Sequence, residues 1–317
     1  MKSHGVGPGV HIGLAATMAV WALNVSVVKW LTGVLDINLV ASLRMVCATL
    51  VLMLLLILNR RPFPRWRGGT LALGCVGGLL MVYCNQMLFA SAMEKTTASN
   101  AALILALNPL INGLLEALVF RKRLTAPYLL GTSLAVAGVC VVILNRAHTQ
   151  LAGPSLGDLL VLASMFSFAS GVLIVQRLAR SHGAQEINAF LYLAGTLALV
   201  IHSGVVVPSP VESIRALTLR EWGCVAFSGA VATAMGAIAW TRGVAAMGLA
   251  RAAVYMSWVP VLGVAFGALL LGEKLTLWHL LGLVLVLSGT VLSSRASRPL
   301  SPAPQELPQS RNEELHI

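Results

Sequence analysis

Charge is what this sequence has least of. Asp, Glu, Lys and Arg make up 10% of its 317 residues, while 57% are hydrophobic and the mean hydropathy is +0.85. A soluble domain carries about a quarter charged residues, so composition excludes one here. Carboxylates are scarcest, 11 against 22 Lys and Arg, and none lies at the middle of an apolar run. The carboxylate relay of many proton-driven pumps is therefore missing. The five cysteines, Cys47, Cys75, Cys84, Cys140 and Cys224, are odd in number and all lie within apolar runs, which argues against a disulfide or zinc framework and for packing. No two of the seven histidines sit at ligand spacing on one helix, so neither metal nor cofactor is expected. HExxH, GxSxG and paired membrane aspartates are absent, since Asp36 and Asp158 lie at run ends. No catalytic residue is assigned, and an intramembrane enzyme is the weaker alternative, as is a non-transporting membrane protein.

What is present is a series of ten apolar runs: 11–33, 38–58, 70–92, 97–120, 126–144, 156–178, 187–207, 222–245, 249–271 and 276–294. Roughly 20 residues of helix cross a ~30 Å hydrocarbon core. A barrel would show shorter segments alternating polar and apolar. The first run contains Asn24 and Lys29 and is long, which favours a retained helix over a signal peptide. After Leu292 the sequence turns rich in Pro and Ser, the composition of a disordered tail.

The chain repeats itself. A shift of 151 residues aligns Pro109 with Pro260, Ala117-Leu118 with Ala268-Leu269, Leu124-Thr125 with Leu275-Thr276, and Gly131 and Gly138 with Gly282 and Gly289; a shift of 147 relates the first run to the sixth. Five helices per copy is an odd number, so the second copy enters the membrane from the opposite side. Its loops bear this out in charge. NRRPFPRWRGG carries four Arg and no acid, whereas its twin VESIRALTLRE balances two Arg with Glu212 and Glu221; RKR at 121–123 opposes GEK at 272–274. Basic loops stay in the cytoplasm, which places both termini there and reads the +11 charge as topology, with no nucleic-acid partner. The expected fold is an all-α membrane protein of ten transmembrane helices, arranged as two inverted five-helix repeats around a central cavity. The first repeat is 1–146, the second 147–294, and 295–317 is a cytoplasmic tail.

Inverted repeats are the usual construction of secondary transporters, because two similar halves of opposite orientation can open one central site to either side in turn. Pro109 and Pro260 reinforce that reading: each removes a backbone N–H at mid-span and breaks the helix where a binding site would sit. VWALNVSVVKWL, SLRMV, NQMLFASAMEKTTASNAALILALNPL and LLLGEKLTLWHLLGLVLVLSGTVL, in that order over residues 1–294, resemble an EamA-type member of the drug/metabolite transporter superfamily. The resemblance implies a cavity lined mainly by helices one, three, four, six, eight and nine, and export or exchange of small metabolites across the plasma membrane, the inner membrane of a bacterium. RKRLT departs from the Gly-Glu-Arg-Leu type of loop usual in the family, leaving that acid only at Glu273.

On those helices the mid-span polar and aromatic residues are Asn24, Tyr83, Asn85, Gln86, Asn108, Asn112, Trp240, Tyr255, Ser257 and Trp258. They are the candidate cavity lining, with ordinary interhelical hydrogen bonds as the alternative for each amide. Lys29 and Arg44 lie about two turns from the outer surface, close to Asp36 and Glu94. They are expected to snorkel or form outer ion pairs, with attraction of an anionic substrate group as the alternative. Glu116, near the level of Arg242 and Arg251, is a candidate inner gate or a partner of the RKR loop. Small faces at Gly74/Gly78, Gly263/Gly267, Gly131/Gly138 and Gly282/Gly289 serve close helix contact, with homodimerisation through helices five and ten a second reading. A small-molecule substrate and the bilayer are the expected partners, and amide and aromatic groups with basic edges suit amino acids or related amphipathic solutes.

Overall fold

The computed structural model describes residues 8–121, 125–144, 156–247 and 249–296, and the described residues hold helices and connecting turns but no strand. The first repeat comprises α1 (Pro8–Leu31), α2 (Ile37–Leu58), α3 (Gly68–Lys95), α4 (Ala98–Leu105), α5 (Asn108–Phe120) and α6 (Ala126–Leu144). The second comprises α7 (Leu156–Leu178), α8 (Ala184–Val206), the short α9 (Pro210–Arg215), α10 (Leu219–Met247), α11 (Leu249–Met256), α12 (Trp258–Leu271) and α13 (Leu277–Ala296). Nine helical spans among the described residues, the pieces on either side of the breaks in the fourth and ninth runs being joined, are long and apolar enough to span a membrane, and α13 adds a shorter apolar stretch. The chain is an integral membrane protein of two inverted repeats. The tail at 297–317 and the loop residues 122–124 lie outside the described residues.

Glycine sets how the copies fit together. A Cβ on Gly131 of α6 would meet the carbonyl oxygen of Gly289 of α13 at 2.5 Å, and one on Gly138 would meet that of Gly282 at 2.8 Å. The four glycines that the repeat relates to one another thus lie backbone to backbone, α6 against α13, in the close approach that small residues permit in lipid. Those faces are used within the chain.

The same two-fold relation reappears between α2 and α8. Thr49 and Thr196, 147 residues apart, place their hydroxyls 2.8 Å from each other, as equivalent residues do on a symmetry axis. Gly78 of α3 lies against the Leu191 backbone of α8, and its equivalent Gly229 of α10 lies against the Arg44 backbone of α2.

The bundle is tight at one end and looser at the other. At the tight end α4 is buried from Ala98 to Ile104, packed on α12 and α7, while α12 also packs on α1. At the other end α5 packs mainly on α7, and α11 on α10 and α1. Val254 of α11 and Trp258, the first residue of α12, are 62% and 55% exposed.

Candidate functional site

Both middle helices are interrupted at equivalent places. The fourth span stops at Leu105 and resumes at Asn108 with Pro109 in the first turn of α5, where a missing N–H costs nothing. The ninth stops at Met256, and α12 begins at Trp258 with the buried Pro260 in its first turn. The third and eighth spans stay continuous but widen into π turns at Leu79–Cys84 and Phe227–Met235. A π turn inserts a residue into the helical ladder and is frequent at functional sites. Neither was visible in the apolar runs.

Between these π turns lies a chain of hydrogen bonds across five helices. The Arg44 guanidinium of α2 donates through Nε to the Ser228 hydroxyl of α10 and through Nη1 to Gln86 Oε1 of α3, at 3.2 Å for the second. The Ser228 hydroxyl donates in turn to Asn24 Oδ1 of α1. Gln86 Nε2 donates to Asn85 Oδ1 at 3.0 Å, and Asn85 Nδ2 to the Ser164 carbonyl of α7 at 2.9 Å. Asn24, Asn85, Gln86 and Arg44 are therefore one assembly. Arg44 neither snorkels nor pairs with an acid: it is 2% exposed, and the only ion pair among the described residues joins Lys95 to Glu94. Its outer candidates are engaged elsewhere, for Asp36 caps α2 through Asn38.

Gly229 makes the assembly geometrically available, because its missing side chain lets the π turn of α10 rest on the Arg44 carbonyl and the Cys47 Cβ. Gly229→Val should push α10 off α2 and part Ser228 from Arg44, with a loss above the ~1–3 kcal/mol of ordinary overpacking, because a Cβ there meets the Arg44 backbone. Thermal unfolding in detergent checks this; an unchanged midpoint would mean that the contact is looser than it stands.

The remaining candidates divide. Tyr83 faces away from the assembly. Its hydroxyl lies 2.5 Å from His202 Nδ1, in a groove of about 500 Å³ between α3 and α8 lined by Leu79, Ala198, Ile201, Val205 and Val206. Asn112 donates to the Asn108 carbonyl at 2.9 Å, and its buried Oδ1 has no partner among the described residues. Trp240 lies beside Trp21, whose indole N–H donates to the Ala232 carbonyl within the second π turn. The Tyr255 hydroxyl sits 2.5 Å from His11 Nδ1, and Ser257 donates locally to Val254. Arg242 is exposed and has no ion-pair partner among the described side chains. The side chains of Pro109, Glu116 and Arg251 lie outside those described, so the suggested inner gate does too.

Glu273 closes the tight end. Gly272 ends α12 with a positive φ of 66°, which glycine adopts without strain. The turn aims the next side chain at the first turn of α4, where Glu273 accepts from the backbone N–H of Ala98 at 2.6 Å, of Ser99 at 2.9 Å, and from the Ser99 hydroxyl at 2.5 Å. A carboxylate at a helix N-terminus satisfies orphan N–H groups and complements the helix dipole. Here it comes from the other repeat. Lys29 completes the layer, its ammonium donating to the Met93 carbonyl at 2.5 Å, with the Glu273 and Glu94 carboxylates acting on it from farther off. Sequence reading noted Glu273 only as a surviving family acid and missed Ser228 and Trp21; a polar residue beside glycine in FSGAVATAM was the one available signal for Ser228.

Comparison with known proteins matches two copies of the model described as the EamA-like transporter family, over residues 9–144 and 155–295. The chain is 29% identical, over 65% of its length and 70% of the other's, to a probable amino-acid metabolite efflux pump of Escherichia coli. It is 28% identical, over 73% of its length and 74% of the other's, to a biotin transporter of Salmonella typhimurium. A solved crystal structure 18% identical in sequence shares the fold with a TM-score of 0.65 over 88% of this chain and 94% of its own.

Proposed function

The chain belongs to the EamA-like transporter family, and from that premise we propose that it is a secondary carrier of small metabolites, amino acids or related amphipathic solutes, working by alternating access as an exporter or exchanger. The observation that carries this reading is the unequal closure of the two ends. Glu273 of the second repeat ties down α4 of the first at one end, while at the other α5 and α11 pack on separate neighbours. Two inverted halves locked at one end are one access state of a two-state device. The amino-acid efflux pump and the biotin transporter support the solute class. The loop charges support a plasma-membrane orientation, in a bacterium the inner membrane, with both termini in the cytoplasm. The locked end is then the outer one and the access state inward-facing. With no carboxylate at mid-span, exchange down a gradient requires no further titratable group.

Counterflow in proteoliposomes tests the proposal. Vesicles containing the purified protein and loaded with each of the amino acids, or biotin, should accumulate the labelled solute transiently and saturably for at least one of them. Flux that equals protein-free vesicles for every solute would overturn it.

A further inference from the structure

Arg44 is a guanidinium inside a membrane bundle with no acid beside it among the described residues. Its two hydrogen-bond partners are neutral, the Ser228 hydroxyl and the Gln86 amide oxygen, and the ionisable group that acts on it is the Tyr192 phenol. Nη2 has no acceptor among the described residues. Asn24 accepts from the Ser228 hydroxyl through Oδ1, and its Nδ2 is likewise a donor without an acceptor among the described residues. A buried charge that is hydrogen-bonded but not neutralised is expensive in hydrocarbon and by default marks a functional site.

The repeat provides an internal control. Equivalent positions in the second copy face the same packing problem, and there it is solved without polar groups. Arg44 corresponds to Leu191, which is fully buried against Leu178 and Ile187. Asn24 corresponds to Gly171, Asn85 to Gly236, Gln86 to Ala237 and Ser228 to Gly77. Helix packing of this shape therefore does not require a cation or its amide escort. The first copy keeps them for another reason.

We propose that Arg44 is the anion-binding residue of the carrier and that its cargo bears a carboxylate, received by Arg44 Nη2 and Asn24 Nδ2 while Ser228 and Gln86 hold the guanidinium in place. The inference rests on the carrier reading above. Neutralisation of Arg44 by the cargo also explains why none of the described carboxylates pairs with it: an internal carboxylate would compete with the one to be moved. Arg44 lies seven residues into α2, roughly 10 Å from its start at 1.5 Å per residue, and so deeper in the bundle than the end that Glu273 closes. A carboxylate bound there would be the group shielded from the far side until the latch opens.

The test pairs acids with their carboxamides, for example L-phenylalanine with L-phenylalaninamide and biotin with biotinamide, across the counterflow panel. The wild-type protein should prefer the acid of its accepted solute over the amide by at least about tenfold, the scale of one buried charged contact. Arg44→Leu, which installs the residue of the second copy, should bring that ratio near one while the protein remains folded, because a well-packed apolar replacement of a buried charge is often neutral or stabilising. Arg44→Lys should retain part of the preference. Should Arg44→Leu fail to fold, Ser228→Gly provides the second variant, in which the KM of the acid should rise relative to that of the amide. Equal flux of acid and amide in the wild type, or an acid preference untouched in these variants, would sink the inference and leave the carrier standing. Absence of saturable flux for every solute removes the carrier reading, and this one with it.

Discussion

Glu273→Ala should unlock the closed end of the bundle. The carboxylate satisfies two backbone N–H groups and one hydroxyl at the start of α4, and no water replaces it readily, since Ala98 and Ser99 are buried. Removing an acceptor from buried donors costs about 1–3 kcal/mol, and a shift of that size changes a two-state population roughly 5- to 150-fold. On the alternating-access proposal, the loss falls on the state closed at this end, in which the two repeats meet through this contact. A cysteine placed at Leu31, which is fully buried at that end, reports the outcome in an otherwise cysteine-free background. Its labelling by a membrane-impermeant maleimide should accelerate by at least about fivefold in Glu273→Ala. Glu273→Gln, which keeps one acceptor oxygen, should fall between. Equal labelling in all three would show that packing of α4 against α12, and not the carboxylate, keeps the end shut.

Gly289→Val should prevent α6 and α13 from assembling. Even a bare Cβ at Gly289 would meet the backbone N of Ala135 at 2.5 Å and its Cβ at 2.9 Å. Backbone cannot swing aside as a side chain can, so the loss should exceed the ~1–3 kcal/mol of ordinary overpacking. Gly282→Val should do likewise through the Gly138 carbonyl, 2.8 Å from its Cβ. Gly204→Val, with nothing within 4 Å of its Cβ, is the control that changes helix propensity without a clash. Fluorescence-detected size exclusion after heating should show Gly289→Val aggregated or unfolded and Gly204→Val near wild type. A monodisperse Gly289→Val protein with an unshifted midpoint would mean that the helices can part without loss.

The glycines of α6 and α13 show how far a one-dimensional reading reaches. Their spacing marks two small faces, and the repeat marks them as equivalent, yet the same pattern suits a homodimer or an internal pair. Which is realised depends on the rotation of each helix about its axis. Tyr83 illustrates the same limit. It lies two residues from Asn85, with which it shares depth and polarity, but two residues turn a helix by about 200°, and Tyr83 ends in the groove with His202.

By itself the sequence determined that this chain is a membrane protein with ten apolar runs, that its halves repeat one another, and which loops carry the positive charge. Those properties follow from transfer free energies and charge summed along the chain, and need no knowledge of neighbours. Only the tertiary structure decided that Arg44 meets Ser228 across 184 residues and that Glu273 caps α4 across 175. Contacts of that kind depend on helix rotation, on π turns that re-aim single side chains, and on glycines that let backbones touch, none of which leaves a period in the sequence.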